Sequence, residues 1–495
     1  MNIMMLLQMA SEADGERIAV GRRSDGLDLA TVFDTAGRFA AWIRAKGYER
    51  VVWSDVAGPL LPVALYGSAW AGTPFVPMNY RLADDRLRAL VAQQKPAVVL
   101  CEAGTESRFG GLEGIDIVPT DTLRSMLAEV GRADEDWPDD ERIALLLYTS
   151  GTSGDPKAAI LRHDHLASYV LGSVEFLGAD PTEATLVTVP PYHIAGMAGI
   201  LSATFSGRRL VQLPNFEPTE WVRTAGEEGV THAMVVPTML ARINSVLAEG
   251  ASLPSLRNLS YGGGRMPIPV IEETMRHLPH VGFVNAYGLT ETSSSVAILG
   301  PDDHRAAISS DDPAIRARLG SVGQPLPTVE ITIRDMEGNE VPAGMPGEVW
   351  VRGDQVSGEY STKNMRADEG WFPTSDGGYL DADGYLFVTG RLDDVIIRGG
   401  ENMSPGEIED VMLQHPSVAD VCVLGLPDDE WGEVVAAVVV RATGTTPTPE
   451  ALADFVVSQL RSSRRPHTIV FREELPTTDT GKVLRRVLRA ELTEP

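Results

Sequence analysis

The stretch YTSGTSGDPK, Tyr148 to Lys157, sets four hydroxyl side chains, two glycines and a lysine directly behind the apolar run Ile143 to Leu147. Successive backbone N–H groups in a glycine-rich turn form an anion-binding concavity. Thr149, Ser150, Thr152 and Ser153 add hydroxyl donors beside Gly151 and Gly154, and Lys157 supplies a point charge at the far end. Such a loop suits phosphate. Its spacing is not GxxxxGK[ST], and no GxGxxG follows a strand, so it is neither a Walker A loop nor a dinucleotide fingerprint. A polar surface turn would look much the same in isolation. Lysine, however, occurs only at 46, 95, 157, 363 and 482, while arginine carries the other positive charge, so a lysine kept here points to a task.

Composition narrows what the phosphate can belong to. A net charge of -27 repels nucleic acid and anionic lipid, so phosphate binding must be local. Cys101 and Cys422 are far apart and lack metal-ligand spacing, which argues against a disulfide framework or a zinc site and fits a cytoplasmic protein. The apolar start MNIMMLLQMA has no basic residue before Arg17 and no cleavage pattern, and reads as a docked or frayed helix. Val56 to Tyr80 carries no charge, yet Pro59, Pro62, Gly67, Gly72, Pro74 and Pro77 punctuate it. A buried helix ending near Gly72, then a short strand, is expected there rather than a membrane span.

The chain of 495 residues is too long for one core and suits a large domain with a smaller one. Apolar runs at 98–100, 143–148, 185–190, 232–237 and 282–287 alternate with helical patterns, which predicts buried parallel strands with crossover helices. From about 320 to 390, glycine- and proline-rich turns separate short alternating segments such as EITIRD and GEVWVRG, predicting antiparallel β structure. In SPGEIEDVMLQH, Ser404 is the expected N-cap, Pro405 the first helical residue and Glu407 the residue three beyond the cap. Strands in VADVCVLG and EVVAAVVVRA and two further helical stretches complete an α+β unit, with the boundary placed at Asp393.

YTSGTSGDPK resembles the YTSGTTGxPKG loop of the adenylate-forming superfamily, which includes acyl-CoA synthetases, firefly-type luciferases and peptide-synthetase adenylation domains. NAYGLTE at 285–291, GRLDDVIIRGGEN at 390–402 and LPTTDTGKVLRR at 475–486 agree in order and spacing. GEN followed by a capped helix most resembles the acyl- and aryl-CoA synthetase branch. The resemblance implies a large α/β N-terminal domain, 1–392, of parallel and mixed sheets with crossover helices and a β-rich part. A small mobile α+β C-terminal domain, 393–495, would follow, hinged at Asp393. It also implies ATP, Mg²⁺, coenzyme A and a carboxylic acid as the small molecules bound.

By the same resemblance, Lys482 bridges carboxylate and α-phosphate, Thr290 bonds the α-phosphate and Glu291 holds Mg²⁺. Asp376 takes the ribose hydroxyls with Arg391 beside it. Gly263, Gly264 and Arg265 in YGGGRMP, with Asn285, Ala286, Tyr287 and Gly288, line the nucleotide, Tyr287 stacking on the base. His193 in PPYHIAG lies between the acid pocket and the thiol entrance, and Arg398 to Asn402, with Gly399 and Gly400, passes pantetheine after a hinge rotation. Outside the motif context each has an ordinary reading: a solvated lysine, a turn aspartate, a satisfied histidine, tight glycine turns.

Three departures stand out: Ala158 where the family has Gly, Ser375 within an expected TGD, and Arg265 beside the adenine segment. Small residues around the acid pocket, Ala195, Gly196, Gly199, Gly262, Gly263, Gly264, Ala286 and Gly288, suggest room for a bulky aromatic, polycyclic or long-chain acid. Two alternatives stay open within the superfamily: transfer to a carrier-protein pantetheine in place of free coenzyme A, and a member retaining one half-reaction. A nucleotide-binding protein without turnover is the alternative of another class, and a homodimer is left open. No GxSxG elbow supports a hydrolase.

Overall fold

The computed structural model describes residues 1–139, 141–149, 157–478 and 483–493, whose strands form four sheets. The nine-stranded sheet is centred on the parallel strands Ala184–Val187, His232–Val235, Asn258–Gly262 and Gly282–Leu289, with Ser294–Leu299 folding back antiparallel on the last. A six-stranded sheet runs parallel from Ile115–Pro119 through Ala97–Cys101, Arg50–Ser54 and Phe75–Pro77 to Ile143–Thr149. Lys157–Arg162 then returns antiparallel at its edge. All five apolar runs read from the sequence contribute to strands of these two sheets. HAMVVP stops short of its end because Pro237 opens the helix Pro237–Ala248, at the position where its missing N–H is tolerated.

Val329–Arg334, Gly347–Gly353, Phe372–Leu380 and Leu386–Arg391 form the antiparallel sheet expected between 320 and 390. The C-terminal residues build a five-stranded sheet with the helices Pro405–Leu413, Pro449–Gln459 and Arg485–Thr493. The fold is thus a large mixed α/β N-terminal domain and a small C-terminal domain of sheet and helix. The edge strand Thr468–Arg472, parallel to Gly432–Arg441, was not among the expected elements, since its side chains are half-buried or exposed and TIVFR shows no clean alternation.

Hydrophobic burial settles the two ambiguous apolar segments. Met4, Leu6, Leu7 and Ala10 of the helix Met4–Asp14 are wholly buried, so the N-terminal segment is docked. Each such leucine contributes roughly 1.5–3 kcal/mol, more than the marginal intrinsic stability of an 11-residue helix. Leu60–Ala71 is buried almost all round and ends where Gly72 takes φ 75°, followed by the strand Phe75–Pro77. Gly67 lets it approach Phe39 and the Ala36 carbonyl of the helix Leu29–Lys46. Among the described residues no helix is long and apolar enough to cross a membrane.

At Pro405–Leu413 the boundary is as read but the cap is not. Ser404 Oγ makes no cap bond and donates instead to the Thr389 carbonyl at 2.5 Å, while Glu407 pairs with Arg464 at 3.2 Å. Tertiary partners outcompete the local capping box.

Candidate functional site

Parallel strands deliver their following residues to one edge of a sheet, which is where open α/β sheets place ligands. Asn258–Gly262 and Gly282–Leu289 run in register, Gly262 opposite Ala286; Gly263 to Arg265 follow the first strand, and Thr290 to Glu291 follow the second, which runs three residues further in the same direction. His193, at the N-cap of Ile194–Ser206, follows the strand Ala184–Val187 of the same sheet, its ring 4.7 Å from that of Tyr192. Thr149 and Lys157 face one another across the ends of the hydroxyl-rich loop, Thr149 Oγ1 donating to the Lys157 carbonyl at 3.4 Å. Ser150, Gly151, Thr152, Ser153 and Gly154 lie outside the described residues, as does Lys482.

Three sheets meet at Tyr287 to Glu291. The Tyr287 hydroxyl donates to Asp376 Oδ2 at 2.6 Å. Asp376 and Arg391 are cross-strand partners, with Arg391 Nη1 donating to Asp376 Oδ1 at 3.2 Å and to the Thr374 carbonyl at 3.0 Å. Burial, then the adjacent Asp376 charge, pushes the Tyr287 phenol well above its usual range, so it remains a donor. Asp376 is only 6% exposed and its two oxygens face a tyrosine and an arginine, an acceptor pair suited to two vicinal hydroxyls.

Ser375, the departure from TGD, sits where the strand Phe372–Leu380 shifts register against Gly347–Gly353 and takes φ 59°. A bulge residue in the left-handed region is ordinarily glycine. Thr374 steadies this bulge, its Oγ1 donating to the Val349 carbonyl at 2.7 Å and accepting from the Asp376 N–H at 3.1 Å.

Glu291 is 7% exposed, in the short turn Thr290–Thr292. Its carbonyl accepts from the N–H groups of Ser357 and Gly358 at 2.8 and 3.1 Å, and its Oε1 accepts from the Tyr360 hydroxyl. Burial followed by the Glu291 charge raises the Tyr360 phenol, keeping it a donor. Neither Thr374 nor Tyr360 was singled out in the sequence; both lie in unremarkable loop or strand text, and no spacing signal marks them. Among the described residues no cluster of three or more His, Cys, Asp or Glu side chains could hold a metal alone. A single buried carboxylate fits a hard cation that takes its other ligands from phosphate and water, as Mg²⁺ does.

Several assigned residues have other work. Asn285 is buried and its Nδ2 donates to the Ser321 carbonyl at 2.9 Å, so its amide serves the fold. Arg265, in the segment YGGGRMP, pairs with Asp410 of the small domain. Gly399 and Gly400, with φ 57° and 81°, are the two-residue turn of the hairpin Ile396–Arg398 to Glu401–Met403, a turn that requires positive φ at both positions. Arg398 donates to the Ser463 carbonyl at 2.8 Å and lies over the Trp431 ring. Asp393 sits in the short turn Leu392–Asp394, 4.0 Å from Arg391.

The glycines read as pocket space are mostly tight backbone contacts. A Cβ on Gly262 would strike the Ala286 carbonyl oxygen, one on Gly288 the Ser294 carbonyl oxygen, and one on Gly196 would lie 2.8 Å from the Pro190 carbonyl oxygen. Gly199 would meet Val187 at 3.2 Å. Only Gly263 and Gly264 have room, their nearest neighbours being 3.6 and 3.8 Å away. The space beside the other four is filled by the chain itself.

Comparison with known proteins accords with this architecture. The AMP-binding enzyme family matches residues 7–361 and the AMP-binding enzyme C-terminal domain matches 407–482. The chain is 33% identical to the fatty acid–[acyl-carrier-protein] ligase ScoC of Streptomyces coeruleorubidus, covering 92% of this chain and 89% of that one. It is 31% identical to the indoleacetate–CoA ligase of Aromatoleum aromaticum, covering 92% and 91%. The o-succinylbenzoate CoA synthetase MenE of Bacillus subtilis, in complex with its acyl-adenylate, superposes with a TM-score of 0.85 at 27% identity, covering 98% and 97%. That enzyme has also been solved with ATP and a magnesium ion. The chain belongs to the AMP-binding enzyme family, and so to the adenylate-forming superfamily on its branch of AMP-forming acid–CoA ligases.

Proposed function

We propose that this protein activates a bulky hydrophobic carboxylic acid with ATP and passes the acyl group to the thiol of coenzyme A. The observation that carries the reading is the junction where Tyr287, Asp376 and Arg391 form a hydrogen-bonded group around the buried Asp376 carboxylate, on the segment that leads to Glu291. Relatives named for fatty acid, indoleacetate and o-succinylbenzoate support a bulky acid.

A carboxylate is a poor acyl donor because its charge repels nucleophiles and oxide leaves badly. Its attack on the α-phosphorus of ATP forms an O–P bond, breaks the bond to pyrophosphate and gives an acyl-adenylate with a good leaving group. Two anions must meet, so positioned positive charge and donors govern the step. Asp376 accepts the ribose hydroxyls, with Arg391 holding the carboxylate in place. Lys157 and the loop Thr149 to Gly154 hold the outgoing phosphates, Thr290 donates to the α-phosphate, and Lys482 bridges it to the acid. Mg²⁺, held by Glu291, supplies charge neutralisation on the phosphate oxygens. In the second step the thiolate attacks the acyl carbon and AMP departs with the carboxyl oxygen. The small domain turns about Asp393 for this, bringing Arg398 to Asn402 to the thiol, with His193 between acid and thiol.

A second reading, delivery to a carrier-protein pantetheine, is favoured by the relative named for an acyl-carrier protein. The test is a panel of aromatic, polycyclic and fatty acids scored for pyrophosphate exchange into ATP and for thioester formation with coenzyme A or a holo carrier protein. Exchange that disappears in Lys482→Ala, with thioester formed on free coenzyme A, is the expected result. Thioester on the carrier alone selects the second reading. No exchange with any acid, while a supplied acyl-adenylate still yields thioester, would leave only the second half-reaction.

A further inference from the structure

The segment Ser357–Ser361 does more than connect the antiparallel sheet to its neighbours. It is stitched to the strand Lys157–Arg162, which leaves the hydroxyl-rich loop. The Ile160 N–H donates to the Glu359 carbonyl and the Ser361 N–H to the Ala158 carbonyl, each at 2.9 Å. Ser357 Oγ donates to the Ile160 carbonyl, and Arg162 grips the Glu359 carboxylate through both oxygens. From this anchored segment the main chain of Ser357 and Gly358 holds the Glu291 carbonyl, and the Tyr360 hydroxyl reaches Glu291 Oε1. Glu291 is therefore fixed at backbone and side chain by one strap, and that strap is tied to the edge strand of the phosphate-gripping loop.

We propose that Tyr360 is a positioning residue for the cation carried in with ATP, orienting the Glu291 carboxylate by occupying Oε1 so that Oε2 is presented to the metal. This rests on the reading of Glu291 as the metal's carboxylate. A carboxylate on a free side chain rotates and must be ordered when the ion arrives, whereas one held by a buried phenol is already aimed. Removing such an outer hydrogen bond typically weakens metal binding about 10-fold or more.

The test uses the full chain with Mn²⁺ as a spin probe. Electron paramagnetic resonance titration measures Mn²⁺ affinity in the presence of ATP, and calorimetry in excess chelator measures ATP binding without metal, for wild type, Tyr360→Phe and Glu291→Gln. We expect Tyr360→Phe to weaken Mn²⁺ about 10-fold while metal-free ATP binding stays at its wild-type value. Unchanged or tighter Mn²⁺ binding in Tyr360→Phe, with a loss in Glu291→Gln, overturns the role of Tyr360 and leaves Glu291 as the metal's ligand. Unchanged Mn²⁺ binding in Glu291→Gln overturns the underlying reading as well. Equal losses with and without metal in Tyr360→Phe also overturn the proposal, because they place the phenol on the nucleotide.

Discussion

Arg265 offers a direct way to weigh the two domains against one another. Its guanidinium belongs to the large domain and its partner Asp410 to the small one, 145 residues away. Any rotation about Asp393 that carries the helix Pro405–Leu413 away separates them. The two side chains are 45% and 39% exposed, so the pair behaves as a surface ion pair, contributing about 0.2–1 kcal/mol. That corresponds to a shift of roughly 1.5- to 5-fold in the equilibrium between this domain orientation and others. Arg265→Ala and Asp410→Asn should each change the ratio of pyrophosphate exchange to thioester formation from supplied acyl-adenylate by that factor. One half-reaction gains as the other loses, and the double variant should add little, since both single changes remove the same contact. Salt near 1 M, with a screening length of about 3 Å, should bring the wild type toward the variants. If Arg265→Ala instead lowers adenylation alone by a large factor while Asp410→Asn is silent, the ion pair is incidental. The arginine then serves the nucleotide, as its place in YGGGRMP first suggested.

Other consequences follow from single contacts. Asp376→Asn keeps the shape of the group proposed to take the ribose hydroxyls but loses its charge. Hydrogen bonds to charged groups are worth about 1.5–3 kcal/mol, so AMP affinity measured by calorimetry should fall roughly 10- to 100-fold. Ser375→Gly relieves the left-handed bulge and should raise the urea midpoint by an amount equivalent to about 0.5–1 kcal/mol; a lower midpoint would show that the serine is not strained. Gly288→Ala drives a Cβ into the Ser294 carbonyl, and a melting temperature within a degree or two of wild type would contradict the expected loss of about 3 kcal/mol or more. His232, held by Thr231 and Asn258 in the strand His232–Val235, has its pKa lowered from 6.5 to about 4, by burial first and then by Arg208. Because the folded value lies below the unfolded one, its contribution is intact above pH 6.5 and is lost as pH falls toward 4. At most about 3 kcal/mol should go. Denaturant titrations from pH 7.5 to 4.5 should show a smaller acid-side loss in His232→Asn than in wild type.

The legible parts of this fold were those where one local signal sufficed. Buried parallel strands are continuous apolar runs, and IALLLY or GFVNAY can do little else between turn residues. Gly72 ended a helix because a left-handed C-cap was needed there. The sequence was misleading where a local signal had a distant competitor. Ser404 had the pattern of a cap, but its hydroxyl bonds the Thr389 carbonyl and makes no cap bond. The partners that shape the candidate site were illegible for the same reason: Tyr287 lies 89 residues from Asp376, and Tyr360 lies 69 from Glu291. Only the junction of separate sheets makes either pair.

Glycine shows why residue type alone cannot size a pocket. In sequence, Gly262, Gly263 and Gly264 are one run, and each could equally mean open space or close backbone approach. The strand register separates them. Gly262 is the last residue paired with Gly282–Leu289, so its missing side chain admits the Ala286 carbonyl, whereas Gly263 and Gly264 lie beyond the pairing and face little. The distinction predicts opposite outcomes from one substitution. Gly262→Ala should cost stability whatever the acid, while Gly264→Ala should leave the melting temperature alone and change KM among acids of different breadth. Should Gly264→Ala lower stability as much as Gly262→Ala, the room at that position is needed by the chain itself, and the acid pocket must be sought elsewhere along the sheet edge.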